Sequence, residues 1–262
     1  MKKFMLLSFT LGLLMVLTST DTITYPEVAN STFKVGEKLR YRVTYGFIDA
    51  GEAEIELKAT SKKGAGRDLY HAVGTGKTLG SFNAFYRVRD TYESYIDQKS
   101  IMPWVFLRDV DEGGYKINQK YTFKQDEKTV NNGEEDFDIT MGMQDMVSTF
   151  YKARTLDFDG MKPGKVFSFK VFMDDEIFKM KIKYVKDETV KIRKGKFKCH
   201  KFVPVVQKGR YFENEDDVQF WITADDNKIP VLVKAKIPVG TVKLHLVEWS
   251  GLKNTLSSKI EK

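Results

Sequence analysis

The chain has 262 residues, 42% hydrophobic and 13% aromatic, which supplies a packed core and excludes a disordered chain. Its formal charge is +7, and losing Lys2 and Lys3 with an N-terminal export segment leaves about +5. Lys and Arg are spread through almost every strand-like stretch, which argues against nucleic acid, because its binders concentrate charge in one patch or stripe.

Met1-Lys2-Lys3, an apolar run over 4–17 and the small residues Thr18-Ser19-Thr20 read as a secretory signal peptide over 1–20. The run is short for a membrane span, no Cys follows it to take a lipid, and no later stretch approaches about 18 apolar residues. The mature protein is therefore expected to be soluble, with no transmembrane segment after signal cleavage, and periplasmic, with secretion or outer-membrane association as the alternatives. Residues 21–32 read as a flexible leader, 33–250 as the β-rich exported domain and 251–262 as a polar tail.

Leu39, Tyr41, Val43 and Tyr45 alternate with Arg40, Arg42 and Thr44. After a turn near 49–51, Ala53, Ile55, Leu57 and Ala59 alternate with Glu52, Glu54, Glu56 and Lys58. Two runs of period two with opposite charge on their polar sides predict an antiparallel pair, Arg40 and Arg42 facing the glutamates. A Gly- and Lys-rich loop is expected over 62–67, a third strand over 69–78, and a fourth from about Phe85. Residues 101–108 (IMPWVFLR) are apolar on both sides, with Trp104 and Phe106 expected on one face and Val105 and Leu107 on the other. Such a strand lies deep in a core or lines a cavity. A further alternating strand follows the turn at 111–114.

Residues 144–155 (QDMVSTFYKART) give the one good helix signal. Asp145 is placed to cap it, and Met146, Val147, Phe150, Tyr151 and Arg154 recur at spacings of three and four. It lies between two β blocks, joining them near 144–164. The second half begins with VFSFKVF, then alternates Phe178, Met180, Ile182 and Tyr184 with Lys179, Lys181 and Lys183. Strands follow around Val190–Ile192 and 197–207. Over 218–249, three apolar runs are separated by Asp225-Asp226-Asn227 and Pro238-Val239-Gly240, a three-stranded meander.

The chain thus reads as mostly β: antiparallel meanders forming a curved sheet or open half-barrel, or alternatively two packed sandwich-like units, with one mid-chain helix. Cys199, the lone cysteine, cannot form an internal disulfide and reads as a small buried hydrophobe, since His200 beside it points to the opposite strand face.

Several pieces recur in a recognisable order: Phe33-x-x-Gly36-Glu37-x-Leu39-x-Tyr41, then Ala50-Gly51, then Asp90-x-Tyr92-x-Ser94-Tyr95-x-Asp97. Arg154-Thr155, Pro163-Gly164 and Trp221-Ile222-Thr223-x-Asp225-x-x-x-Ile229-Pro230-Val231 follow, with Gly240 beyond. In this the chain resembles the exported bacterial proteins grouped as domain of unknown function 3108, over roughly 33–249. The resemblance implies an exported all-β protein, similar to the open half-barrels that carry lipoproteins or sense lipids in bacterial envelopes. It implies no enzyme and carries over no catalytic residue.

The residues themselves offer no catalytic set. His71, His200 and His245 lack metal-helix spacing, so no metal or cofactor is expected. Gly80-Ser81-Phe82 lacks the second glycine of a nucleophile turn. The acidic clusters at 174–176 and 213–217, and Asp225-Asp226-Asn227, fit solvated turns better than a carboxylate pair or a calcium loop. The Lys ladder over 178–193 fits a soluble sheet face, with anionic lipid or acidic glycan as the alternative.

The aromatic surplus is what suggests binding. Phe82, Phe85, Tyr86, Trp104, Phe106, Phe150, Tyr151 and Arg154 are the candidate ligand-binding residues, because a half-barrel leaves a concave face that binds something apolar or is plugged by the helix. The leading expectation is an exported non-enzymatic protein that binds or carries a hydrophobic or amphipathic envelope ligand, a lipid or lipid-linked molecule. The alternatives are a structural or assembly factor binding another envelope protein or glycan, and a hydrolase with an unrecognised site.

Overall fold

The fold is described from a computed structural model, which describes residues 23–205, 217–237 and 240–261. The expected signal peptide and the turn at 238–239 lie outside the described residues, as does most of the acidic 213–217 cluster.

From the N-terminus run β1 (Lys38–Tyr45), β2 (Ile48–Gly64), β3 (Arg67–Thr78), the single-turn helix α1 (Phe82–Phe85), β4 (Val88–Asp97), β5 (Pro103–Glu112) and β6 (Tyr115–Lys124). The short β7 (Thr129–Asn131) and β8 (Asp136–Asp138) follow, then helix α2 (Met146–Arg154). The second half contains β9 (Val166–Met173), β10 (Glu176–Ile192), β11 (Gly195–Pro204), β12 (Val218–Thr223), β13 (Pro230–Ile237), β14 (Gly240–Ser250) and the short β15 (Lys259–Ile260).

All strands belong to one antiparallel sheet in the order β8-β7-β6-β5-β4-β3-β2-β1-β14-β13-β12-β11-β10-β9, with β15 paired to β11. The expected curved, open sheet is present, and the two-sandwich alternative is not. The first and last long strands, β1 and β14, are joined at its centre. Each half is a meander running outward from that seam, so β8 and β9 are the two edges. The chain must cross from one edge to the other, and the segment carrying α2 makes that crossing over the concave face.

The sheet rolls until its edges approach but do not pair. The segment before α2 fills the gap: Gln144 N donates to Lys170 O (2.9 Å), and Phe172 N donates to Gln144 O (2.8 Å). The Tyr121 and Phe172 rings meet edge-on at 4.9 Å, bringing β6 against β9. Arg108 on β5 donates to Asp174 in the β9–β10 turn (2.7 Å).

Helix α2 starts where expected. Asp145 caps it, accepting from Ser148 N (2.6 Å), while Ser148 Oγ accepts from Asp145 N (2.8 Å). Ser94 Oγ on β4 donates to the same carboxylate (2.6 Å), so the cap also fixes the helix to the sheet. Burial pushes the Asp145 carboxyl up to about 6, more than its hydrogen bonds from Ser148 and Ser94 lower it, against an ordinary value of 3.8. The native state thus holds this proton more tightly than the unfolded chain does. Its contribution to stability is complete below about pH 4 and is lost as pH rises through about 6. Asparagine caps equally well. Asp145→Asn is therefore expected to gain melting temperature relative to the wild type between ~pH 4 and ~pH 7. A difference independent of pH would show that this carboxyl does not titrate there.

Four local expectations differ from the structure. β2 runs through the expected loop to Gly64, because Ala65 and Gly66, both with positive φ, close a two-residue hairpin by themselves. The strand expected from Phe85 begins at Val88; residues 82–85 form α1 instead. Residues 23–32 are docked rather than loose: Val28 N donates to Lys99 O (2.8 Å), and buried Thr32 donates through Oγ1 to Arg154 O (3.0 Å). The runs around Phe178–Tyr184 and Val190–Ile192 are one strand, β10, bulged between Tyr184 and Lys186.

Cross-strand charge pairing is as expected. Arg40 and Arg42 oppose Glu54 and Glu52 in the ladder, and Arg42 Nη2 lies 2.9 Å from Glu52. Cys199 is buried, and burial pushes its thiol up to about 12. A thiol reagent is expected to leave the native protein unlabelled and to react stoichiometrically in denaturant. Rapid native labelling would contradict the burial.

Candidate functional site

Inside the roll, between α2 and the sheet, lies a cavity of about 500 Å³. It draws residues from every strand between β4 and β9 by way of the central seam. Tyr41, Ile55 and Tyr92 come from the first half, and Met180, Ile182, Phe202, Phe220, Ile222 and Leu244 from the second. Helix α2 contributes Met146, Val147, Phe150 and Ala153 as one wall. Strand alternation explains the lining: Phe178, Met180, Ile182 and Tyr184 share one face of β10, while Lys179, Lys181 and Lys183 take the opposite one. The Lys ladder therefore points away from the cavity. Met146 and Met180 are each 40% exposed and mark where the lining meets solvent.

The lining is apolar, with a few polar groups at its margins. The Tyr41 hydroxyl is buried and has no hydrogen-bond partner among the described residues. At the end near the β12–β13 turn, Lys228 lies 5.0 Å from the Phe158 ring centroid and donates to Leu156 O; burial lowers its pKa. Beside Tyr92 is a polar collar. Arg108 stacks 5.9 Å from the Tyr92 ring, and Asp90 is pushed up to about 6 by burial and by the neighbouring Glu112 carboxylate.

Arg154 reaches the cavity wall, but its guanidinium is engaged elsewhere. It forms a buried bidentate pair with Glu37 (2.5 and 2.7 Å) and donates twice to Asn227 O (3.1 and 2.9 Å). The Phe33, Phe150 and Tyr151 rings surround it. This cluster closes the roll at the end opposite the β1–β2 turn, joining the N-terminal segment, the helix end and the β12–β13 turn. Arg154 is a structural anchor with one edge on the cavity.

Of the eight candidates from sequence, Phe150 and Arg154 line the cavity. Tyr151 and Phe106 are buried in the adjoining core. Trp104 is on the other face. A bulge between Tyr95 and Ile96 sets Tyr95 against Val105 and Ile96 against Pro103, leaving Trp104 as the extra residue. Trp104 therefore packs with Leu69 and Tyr95, apart from Phe106, its indole lying across Gly64 so closely that a Cβ there would fall 2.3 Å from the ring. Phe82, Phe85 and Tyr86 are remote from the cavity, at a loop end of the roll. Second-half strands supply more of the lining than the first-half strands or the helix do, and their alternation is legible in the sequence; which of their faces turns inward is not.

A second concavity of about 410 Å³ lies on the sheet face that carries Arg40, Glu52, Lys77 and Arg89. Its charges pair across strands, Arg40 with Glu52 and Glu248 and Lys77 with Glu52, as expected of a solvated sheet face. The histidines are separated: His71 meets Glu93 (2.5 Å), His200 meets Asp187 (2.5 Å), and His245 lies 3.5 Å from Thr44 Oγ1. The Asp225 carboxylate is occupied within its own turn and by Ser258 N. Among the described residues no group of three metal-ligating side chains converges, and no helix is long and apolar enough to cross a membrane.

No curated protein matches this chain. Among solved structures it is similar to a beta-barrel-like protein of domain of unknown function DUF1849 from Brucella abortus, with TM-score 0.54 and 9% identity over 84% of this chain and 98% of that one. A DUF1089 family protein from Pseudomonas aeruginosa aligns over 80% of this chain and 95% of its own at 10% identity, with TM-score 0.31, which does not establish a common fold. The barrel-like relative shares the architecture and says nothing of activity. The family described as Protein of unknown function (DUF3108) matches residues 40–247, from the first central strand to the last, and the chain belongs to it.

Proposed function

We propose that this protein binds and carries a hydrophobic or amphipathic ligand of the bacterial envelope and performs no chemistry on it. The observation that supports this reading is the cavity of about 500 Å³ between α2 and the inner sheet face. Its volume falls within the range of small-ligand sites, about 300–1,000 Å³. Apolar walls exposed to water are unfavourable by about 25 cal/mol per Å², and an apolar occupant relieves that. The Tyr41 hydroxyl, which lines the cavity and has no hydrogen-bond partner among the described residues, favours a ligand with a polar end over a pure hydrocarbon.

Native mass spectrometry of the protein purified from its own envelope, with lipid extraction of the same sample, tests the reading. A stoichiometric apolar adduct is expected. A clean unliganded mass after gentle purification would turn the assignment towards an assembly factor that binds another envelope protein.

A further inference from the structure

Six large apolar side chains project into solvent at one end of the roll. Phe47 and Ile48 form the tip of the β1–β2 hairpin, Phe85 and Tyr86 lie in the β3–β4 connection, Tyr115 opens β6 and Ile237 closes β13. Phe47 is fully exposed and Phe85 is 89% exposed. Because neighbouring strands alternate in direction, the β1–β2, β3–β4, β5–β6 and β13–β14 connections all emerge at this same end.

They form one continuous rim. Gly46 N donates to Thr241 O (3.1 Å), Leu79 N to Ala50 O (2.9 Å) and Gly113 N to Arg87 O (2.7 Å). The Tyr45 and Phe82 rings meet edge-on at 6.1 Å. Exposed cations are interspersed along the rim: Lys77, Arg87, Arg89, Lys116 and Lys236. The exposed acid of the β1–β2 hairpin, Asp49, is already neutralised by a bidentate pair with Arg193 (2.9 and 3.0 Å).

We propose that this end of the roll docks on the surface of a bilayer containing anionic lipids. Phe47 and Phe85 enter the boundary between headgroups and acyl chains, with Ile48, Tyr86, Tyr115 and Ile237 around them, while the rim cations meet lipid phosphates. Two features select a bilayer over a protein face. The apolar groups are separate projecting tips with charge between them, which a deformable interface accommodates and a rigid partner would have to match pocket by pocket. Exposed cations outnumber exposed acids between these tips, although Lys77 and Arg87 have Glu52 and Asp111 within 3.9 Å, and the acids of the β9–β10 turn, Asp174 and Asp175, are engaged with Arg108 and Tyr121; the excess is complementary to an anionic headgroup layer. The inference stands on the rim and does not require the cavity to hold a ligand.

Cosedimentation of the exported protein with vesicles tests it directly. Binding is expected to phosphatidylethanolamine vesicles that contain phosphatidylglycerol, weaker binding to phosphatidylcholine alone, and weakening by added salt. The double variant Phe47→Ser, Phe85→Ser removes two exposed side chains, so its melting temperature is expected to stay unchanged while vesicle affinity falls by roughly tenfold or more. Lys58→Gln with Lys63→Gln, towards the β2–β3 turn at the opposite end of the roll, is expected to bind as the parent does. Failure of the parent to bind either vesicle, or unchanged binding by the Phe47/Phe85 variant, would overturn the proposal. So would a rim variant that loses a protein partner while vesicles are ignored.

Discussion

Truncation of Arg154 to alanine is expected to destabilise the fold by about 3–5 kcal/mol, the range for breaking a buried ion pair by removing one partner. The loss has three sources. Glu37, 1% exposed, would keep a carboxylate with no cation beside it. Asn227 O would lose two donors, and the Phe33, Phe150 and Tyr151 rings would face a void. Because Arg154 ties the helix end to the N-terminal segment and the β12–β13 turn, unfolding should remain a single transition, moved to lower denaturant with little change in slope. Glu37→Gln keeps the shape and a hydrogen-bonding oxygen, and should cost less than the truncation. A loss below about 1 kcal/mol for Arg154→Ala would mean that water satisfies Glu37 and that this end of the roll is not sealed.

Filling the cavity should affect function without a comparable effect on stability. Ala153 is on the helix wall, one residue before the Arg154 anchor. Ala153→Phe directs a ring into the cavity at a helix-propensity cost of about 0.5 kcal/mol. A ligand that must share the space would meet an overpacking penalty of about 3 kcal/mol, equivalent to roughly 100-fold in affinity. The measurement is displacement of an environment-sensitive fatty-acid probe, with the melting temperature followed in parallel. Uptake equal to that of the parent would show that the ligand binds elsewhere. The rim variant Phe47→Ser, Phe85→Ser should take up detergent-solubilised probe normally, so a failure of the carrier reading and a failure of membrane docking are separable.

The helix and its cap were legible in the sequence because both are local. Asp145 and Ser148 are three residues apart, and the apolar spacing from Met146 to Arg154 declares a helix without reference to anything distant. Period-two alternation likewise placed β1, β2, β6 and the β12–β13–β14 meander, and the opposed charges of Arg42 and Glu52 predicted the pairing that is present. The face that Trp104 takes is one that alternation cannot reveal. A single bulge adds one residue to β5 and reverses the faces on either side of it, and only the register with β4 shows it. The aromatics at 82–86 share only their chemistry with the aromatics of the helix. They are instead the exposed end of the molecule, since four connections far apart in sequence emerge side by side there.

By itself, then, the sequence determined an antiparallel β protein with one capped helix, a buried inert cysteine and a family resemblance. All of these follow from periodicity, from capping, or from the order of short motifs along the chain. Tertiary structure alone decided that the two meanders join through β1 and β14, because strand partners separated by about two hundred residues leave no local mark. It also decided that the helix, in crossing between the two edges, stops short of filling the roll. Whether a concave apolar face is plugged or left open depends on the distance between a helix and ten facing strands, and that distance is set only when the whole sheet has curled.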